Sequence, residues 1–202
     1  MEPPATLDAM RFRHVLRTAE RWLERNREAV NAINVYPVPD GDTGTNMVLT
    51  LRTALDACEP VEGPAVGPHL EAAARGALLG ARGNSGVILS QILRGLAEPL
   101  MEAQEVDATL LRKGLSSAAT SAYSAVVEPV EGTMLTVMRE AAEAAAASSG
   151  RRRRQRPPVR LRAGPRAGER GRRAKGGRST KSKCVVVMQE TQVSVSGRRR
   201  SE

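Results

Sequence analysis

The chain has 202 residues, with 31 Lys and Arg against 22 Asp and Glu, two histidines, two cysteines and 2% aromatic residues. That length suits one domain with an appendage, no apolar run approaches the ~20 residues of a membrane span, and Cys58 and Cys184 fit neither a zinc nor a disulfide pattern. The net charge of +9 conceals two different objects: residues 1–150 carry 13 Lys and Arg against 19 Asp and Glu, a balance of −6, whereas residues 151–202 carry 18 against 3, a balance of +15.

The N-terminus, Met1-Glu2-Pro3-Pro4, lacks the basic patch and apolar stretch of a signal peptide, so a cytoplasmic location is the default expectation. Apolar positions in residues 7–33 (Phe12, Leu16, Ala19, Leu23, Val30, Ile33) recur at helical spacing and predict one helix. Pro37 and Pro39 end it and make the following segment a loop. A second helix fits residues 45–57, with Met47, Leu51, Ala54 and Leu55 on one face. Pro60, Gly63, Pro64, Gly67 and Pro68 form a connection. Further helices are predicted over 70–79, 85–104, 108–127 and 133–147. No convincing strand alternation occurs before residue 184. The expected class is all-α, an antiparallel helix bundle over 1–149, followed by a basic, disordered tail over 150–202 that has no aromatic residue.

Three loops carry the chemistry. The first, Asn34-Val-Tyr-Pro-Val-Pro-Asp40-Gly41-Asp42-Thr43-Gly44-Thr45-Asn46, sets two carboxylates around one glycine and follows them with hydroxyl and amide side chains. Carboxylates this close repel, and a divalent cation removes the repulsion. Mg²⁺, which takes one or two carboxylates together with water and phosphate oxygens, suits such a pair. Pro-Asp-Gly is also ordinary turn chemistry. An EF-hand is excluded because Leu51 stands where the twelfth-position glutamate is needed. The second loop, Gly80-Ala-Arg-Gly83-Asn84-Ser85-Gly86, precedes an apolar helix whose N-terminus offers N–H groups to an anion, and a plain helix cap explains it equally well. It is neither a P-loop, since no lysine follows the last glycine, nor a nucleophile elbow, since Val87 takes the last glycine position. The third, Glu128-Pro-Val-Glu-Gly-Thr133, again opens a helix and by itself reads as a cap. Three such loops could meet at one end of a bundle and form a metal-and-phosphate pocket.

The motifs Val-Pro-Asp40-Gly-Asp42-Thr-Gly-Thr-Asn46-Met, Ala-Arg-Gly83-Asn-Ser85-Gly and Pro-Val-Glu-Gly-Thr133, in this order, resemble the nucleotide-binding domain shared by the L-subunit of dihydroxyacetone (glycerone) kinase and bacterial fatty acid kinase, with the fatty acid kinase branch nearer. The resemblance covers about residues 7–147. It implies an eight-helix antiparallel barrel, of which six helices are visible here, with Mg²⁺–ATP at one end. It further implies Asp40 and Asp42 as metal ligands, with Asn34 as a weaker neutral one near the place of a third aspartate in the dihydroxyacetone kinase branch. Thr43, Gly44, Thr45 and Asn46 would face the β- and γ-phosphates, Gly83, Asn84, Ser85 and Gly86 would cradle phosphate, and Thr133 would line the nucleotide pocket. The implied activity is γ-phosphoryl transfer to a fatty acid carboxylate or a ketose delivered by a separate acyl-carrying or ketose-binding protein. A fatty acid is already ionised at neutral pH, so no general base is assigned.

The pattern departs from the family near Ser148, where an arginine run replaces two expected helices. One explanation is a frame shift, since Val187–Val193 encoded two nucleotides on permits Asp-Ala-Gly-Asp-Ser-Gly. The rival is a basic tail that binds nucleic acid or an anionic membrane by charge. A third reading makes the domain an ATP-binding regulator without transfer activity.

Overall fold

In the computed structural model, residues 6–34 and 40–148 are described; the expectations for the tail over 150–202, and for Pro37 and Pro39, lie outside them. The described residues form seven α-helices: α1 (Ala9–Arg25), α2 (Arg27–Ala32), α3 (Thr43–Cys58), α4 (Val66–Leu79), α5 (Gly83–Ala97), α6 (Ala108–Ser124) and α7 (Met134–Ala147), with a 3₁₀ turn at Glu98–Leu100. They contain no strand, only an isolated antiparallel bridge between Leu7 and Val106. The all-α expectation is met, and three boundaries move for identifiable reasons.

The helix expected over 7–33 is two helices. Asp8 caps α1 by accepting from Arg11 N at 2.8 Å, and Phe12, Leu16 and Leu23 face the core. At Asn26 the side-chain Nδ2 donates to Trp22 O at 2.7 Å, offering that carbonyl a local alternative to the helical ladder. The backbone there has φ −103°, ψ 7°, and the chain restarts as the six-residue α2.

The α4 helix begins at Val66, ahead of the expected residue 70. Pro68 falls in the first turn, where no N–H is required. The first two amides are satisfied from outside the helix: Val66 N donates to Gln104 O (3.1 Å) and Gly67 N to Ala103 O (3.0 Å). This closeness requires glycine, because a Cβ at residue 67 would lie 1.9 Å from Met101 O. The α5 helix correspondingly stops at Ala97, since Pro99 cannot donate to the ladder, and residues 101–104 turn back to cap α4.

Successive long helices run up and down. Arg17 pairs with Glu59, and Arg52 with Glu20 and Glu24, which sets α1 antiparallel to α3. Gly76 and Gly80 bring α4 against Thr53 of α3, and Gly95 brings α5 against Ser117 and Ser121 of α6. One core joins Phe12, Leu16, Val48, Leu51, Val66, Leu70 and Leu100. A second, smaller one joins Ile88 of α5, Ala122 and Val126 at the end of α6, and Leu135 of α7. At ~1.5–3 kcal/mol for each large apolar side chain buried, these clusters are the main source of stability. The alternation places the starts of α3, α5 and α7 at one end of the bundle.

Candidate functional site

The first loop enters α3 through Gly41, whose φ of 67° favours glycine, with Asp40 and Asp42 both exposed beside it. Asp42 occupies the N-cap position of α3, yet its side chain makes no capping bond. The cap comes from Asn31 on α2. Its Oδ1 accepts from Gly44 N at 2.8 Å and Thr45 N at 3.2 Å, while its Nδ2 donates to Thr45 Oγ1 at 3.2 Å. Gly44 permits this fit, since a Cβ there would lie 2.5 Å from Arg27 O.

Asn34 closes the loop from the other side. Its Nδ2 donates to Asp40 Oδ1 at 2.6 Å. A carboxylate oxygen only accepts, so this bond fixes the amide's orientation and turns Oδ1 the other way. That Oδ1 is buried and has no hydrogen-bond partner among the described residues. A lone buried acceptor costs ~1–3 kcal/mol, and a neutral amide oxygen could join two carboxylates on a hard cation only after the amide turned over. Among the described residues no group of three or more His, Cys, Asp or Glu is placed to hold a metal ion by itself. Asp40 and Asp42 offer two exposed carboxylates, the number that suits a Mg²⁺ bringing phosphate and water ligands of its own, whereas Asn34 presents its nitrogen to Asp40.

The second loop touches the first directly. Gly83 has φ +54°, and a Cβ on it would lie 2.4 Å from Asn46 Nδ2. Thr50 Oγ1 donates to Asn46 O at 2.8 Å and accepts from Arg82 N at 3.1 Å, joining the two loops through one hydroxyl. Gly86 is needed for the same junction, because its Cβ would lie 2.3 Å from Thr50 Oγ1; its smallness is accounted for by helix packing. Asn84 is half-buried, and Ser85 is buried in the first turn of α5. The N-cap residue of that helix, Arg82, makes no side-chain capping bond. Of the residues expected to face phosphate, Thr43 is 2% exposed and the Gly44 amide is occupied by Asn31, whereas Thr45 and Asn46 are half-buried.

The third loop joins through Leu135 and Ile88, which share the smaller core. Thr133 caps α7, accepting from Leu135 N at 3.2 Å and donating to Val130 O at 2.8 Å. The loop is braced by Glu131, which accepts from Thr136 Oγ1 (2.7 Å), Tyr123 OH (2.9 Å) and Arg139 Nη2 (3.1 Å). The Thr136 bond foremost, then those from Tyr123 and Arg139, hold the Glu131 carboxyl below its ordinary value. Bonding to Tyr123, Glu143 and Glu131 raises Arg139 in turn.

Asn31, Thr50 and the Tyr123–Glu131–Arg139 brace escape a motif search. One signal pointed to the first: Asn26, Asn31 and Asn34 are poor helix formers inside an otherwise periodic stretch.

This geometry coincides with a family match. The profile of the DAK2 domain matches residues 37–170, more than half of the chain, and the chain belongs to that dihydroxyacetone kinase-like family. The match starts later than the resemblance read from the motifs and runs past residue 147 into the basic segment. Protein YloV of Bacillus subtilis (strain 168) is 43% identical over 138 residues, covering 68% of this chain and 25% of YloV. Uncharacterized proteins of Staphylococcus aureus strains USA300 and NCTC 8325 are each 46% identical over 122 residues, 60% of this chain and 22% of theirs. The chain thus spans about a quarter of the length of these relatives. No helix among the described residues is long and apolar enough to cross a membrane.

Proposed function

We propose that the helical domain binds Mg²⁺–ATP where α3, α5 and α7 begin and serves as the nucleotide domain of a phosphotransferase. The observation that carries this reading is the pair of exposed carboxylates, Asp40 and Asp42, in a loop that the start of α5 meets directly where Gly83 touches Asn46. Asp40 and Asp42 hold the cation, and Asn34 joins them once its amide turns over to present Oδ1. Thr45 and Asn46 donate to the phosphates from α3, and Gly83, Asn84 and Ser85 meet them from the start of α5. Thr43, Gly44 and Gly86 shape the backbone behind this surface, and Thr133 fixes the wall that α7 contributes.

Held by Asp40 and Asp42, Mg²⁺ would supply positive charge against the negative charge that grows on the phosphate oxygens during transfer. The domain's own part is to hold the γ-phosphoryl group in line with the acceptor and to offer it preorganised donors. With a fatty acid, a carboxylate oxygen forms the new bond to γ-phosphorus as the bond to the ADP oxygen breaks, giving an acyl phosphate and ADP with no proton to remove. A dihydroxyacetone-type hydroxyl would have to lose a proton, and no general base stands among the residues assigned here. The carboxylate is therefore the acceptor we favour, presented by a separate acyl-carrying protein or by the further length found in the relatives.

Calorimetric titration of the chain with ATP, with and without Mg²⁺, tests the reading. We expect saturable binding that requires the cation. Absence of binding in millimolar Mg²⁺, or equal binding in chelator, would refute it.

A further inference from the structure

The α2 helix is an unusual support for a binding loop. Its six residues are too few to be stable alone, and none of them is buried. It is nevertheless fixed in place. Arg27 pairs with Glu24 and Glu28, Glu24 also pairs with Arg52 of α3, and the Arg27 carbonyl sits where Gly44 leaves room. The effect is to present one side chain, Asn31, to the start of α3.

Asn31 does two chemically distinct things there. Its Oδ1 takes up the amides of Gly44 and Thr45, two of the N–H groups that a helix N-terminus would otherwise offer to an anion. Its Nδ2 donates to Thr45 Oγ1. A hydroxyl has one proton and two lone pairs, so a hydroxyl that accepts from Asn31 keeps its proton for another partner. The polarity of Thr45 is thereby set by its neighbour.

We propose that Asn31 is a positioning residue that turns the start of α3 from a backbone anion site into a hydroxyl donor site, by occupying the amides and directing the Thr45 proton toward the bound phosphate. The inference rests on the Mg²⁺–ATP reading above and adds to it: beside Asn46, the Thr45 hydroxyl is the phosphate contact at the first turn of α3, and Asn31, without touching ligand, decides that it donates.

Replacement of Asn31 by aspartate separates this role from simple capping. In Asn31→Asp the carboxylate still accepts from both amides, and a negative charge at a helix N-terminus is favourable, so the melting temperature is kept or raised. It cannot donate, so the Thr45 proton turns toward it and away from phosphate. We expect the Kd for Mg²⁺–ATP to rise about tenfold, or 1.4 kcal/mol, in Asn31→Asp and in Thr45→Ala alike. The double variant should be no weaker than Thr45→Ala alone. Binding by Asn31→Asp equal to wild type would overturn the proposal. So would a further tenfold loss in the double variant, which would mean that charge repulsion, not hydroxyl orientation, is responsible. Failure of the wild type to bind Mg²⁺–ATP at all would instead remove the reading on which the proposal stands.

Discussion

Gly83 and Asn46 compete for one volume: a Cβ on Gly83 would lie 2.4 Å from the Asn46 amide nitrogen. This contact joins the second loop to the first, and it does so at a residue whose φ of +54° already disfavours a side chain. Gly83→Ala should therefore cost about 1–3 kcal/mol, the usual range for a residue held in a sparsely populated backbone region. It should also displace Asn46 and weaken nucleotide binding. Urea denaturation reads the first effect and ligand titration the second; a variant as stable as wild type would show that the loops do not meet.

Two other glycines separate close packing from backbone conformation. Gly67 has an ordinary φ, but a Cβ there would lie 1.9 Å from the Met101 carbonyl, a backbone atom with no rotamer to escape into. Gly63 has φ +97° and open space around it. Gly67→Ala should disturb the 101–104 turn and lose upward of the ~1–3 kcal/mol typical of overpacking. Gly63→Ala should lose only the ~1–2 kcal/mol of an unfavourable backbone region. Thermal melts of the two variants should fall in that order, and the reverse order would contradict the packing described for α4.

The brace at Glu131 makes a pH-dependent contribution. Its carboxyl is held low in the folded protein, mainly by Thr136 and Tyr123. The stabilisation is therefore fully present above the unfolded glutamate value of about 4.3 and is lost as pH falls through the lower folded value. Wild type should lose stability relative to Glu131→Gln as pH drops from about 5 to 3, with no such change between pH 6 and 8. Parallel curves for the two proteins across the acid range would show that the three bonds to Glu131 do not form in solution.

Much of this architecture is legible in the sequence because apolar spacing reports helices directly. The helices expected over 45–57, 108–127 and 133–147 correspond to α3, α6 and α7 with small shifts at their ends. The break at Asn26 is hidden, because the periodic pattern runs on through it while a side-chain bond to Trp22 O closes the helix. The end of α5 at Ala97 was available from Pro99, but the apolar run around it suggested continuation. At the site, Asp40, Asp42 and the glycine loops stand out by residue type alone. What residue type does not carry is pairing across a helix break. Asn31 meets Gly44 thirteen residues on, and Gly86 owes its smallness to Thr50 of α3.

Cys58 offers an independent check on the α1–α3 packing. It is 1% exposed, and burial pushes its thiol up, only partly countered by the nearby positive charge of Arg13. In a Cys184→Ser background its reaction with an aromatic disulfide reagent at pH 8 should be slow and should accelerate on adding urea through the unfolding transition. Rapid stoichiometric labelling of the native protein would mean that the α1–α3 packing opens readily.

In the proposed function, Asp40 and Asp42 hold the cation that brings ATP to this end of the bundle. Both carboxylates are exposed and lie outside the two cores, so their loss should leave the fold intact. The most direct measurement is calorimetric titration of Mg²⁺–ATP into wild type, Asp40→Ala and Asp42→Ala, with helical content checked by circular dichroism. We expect unchanged helicity in all three and loss of Mg²⁺-dependent binding in both variants. Wild-type affinity in either variant would contradict it.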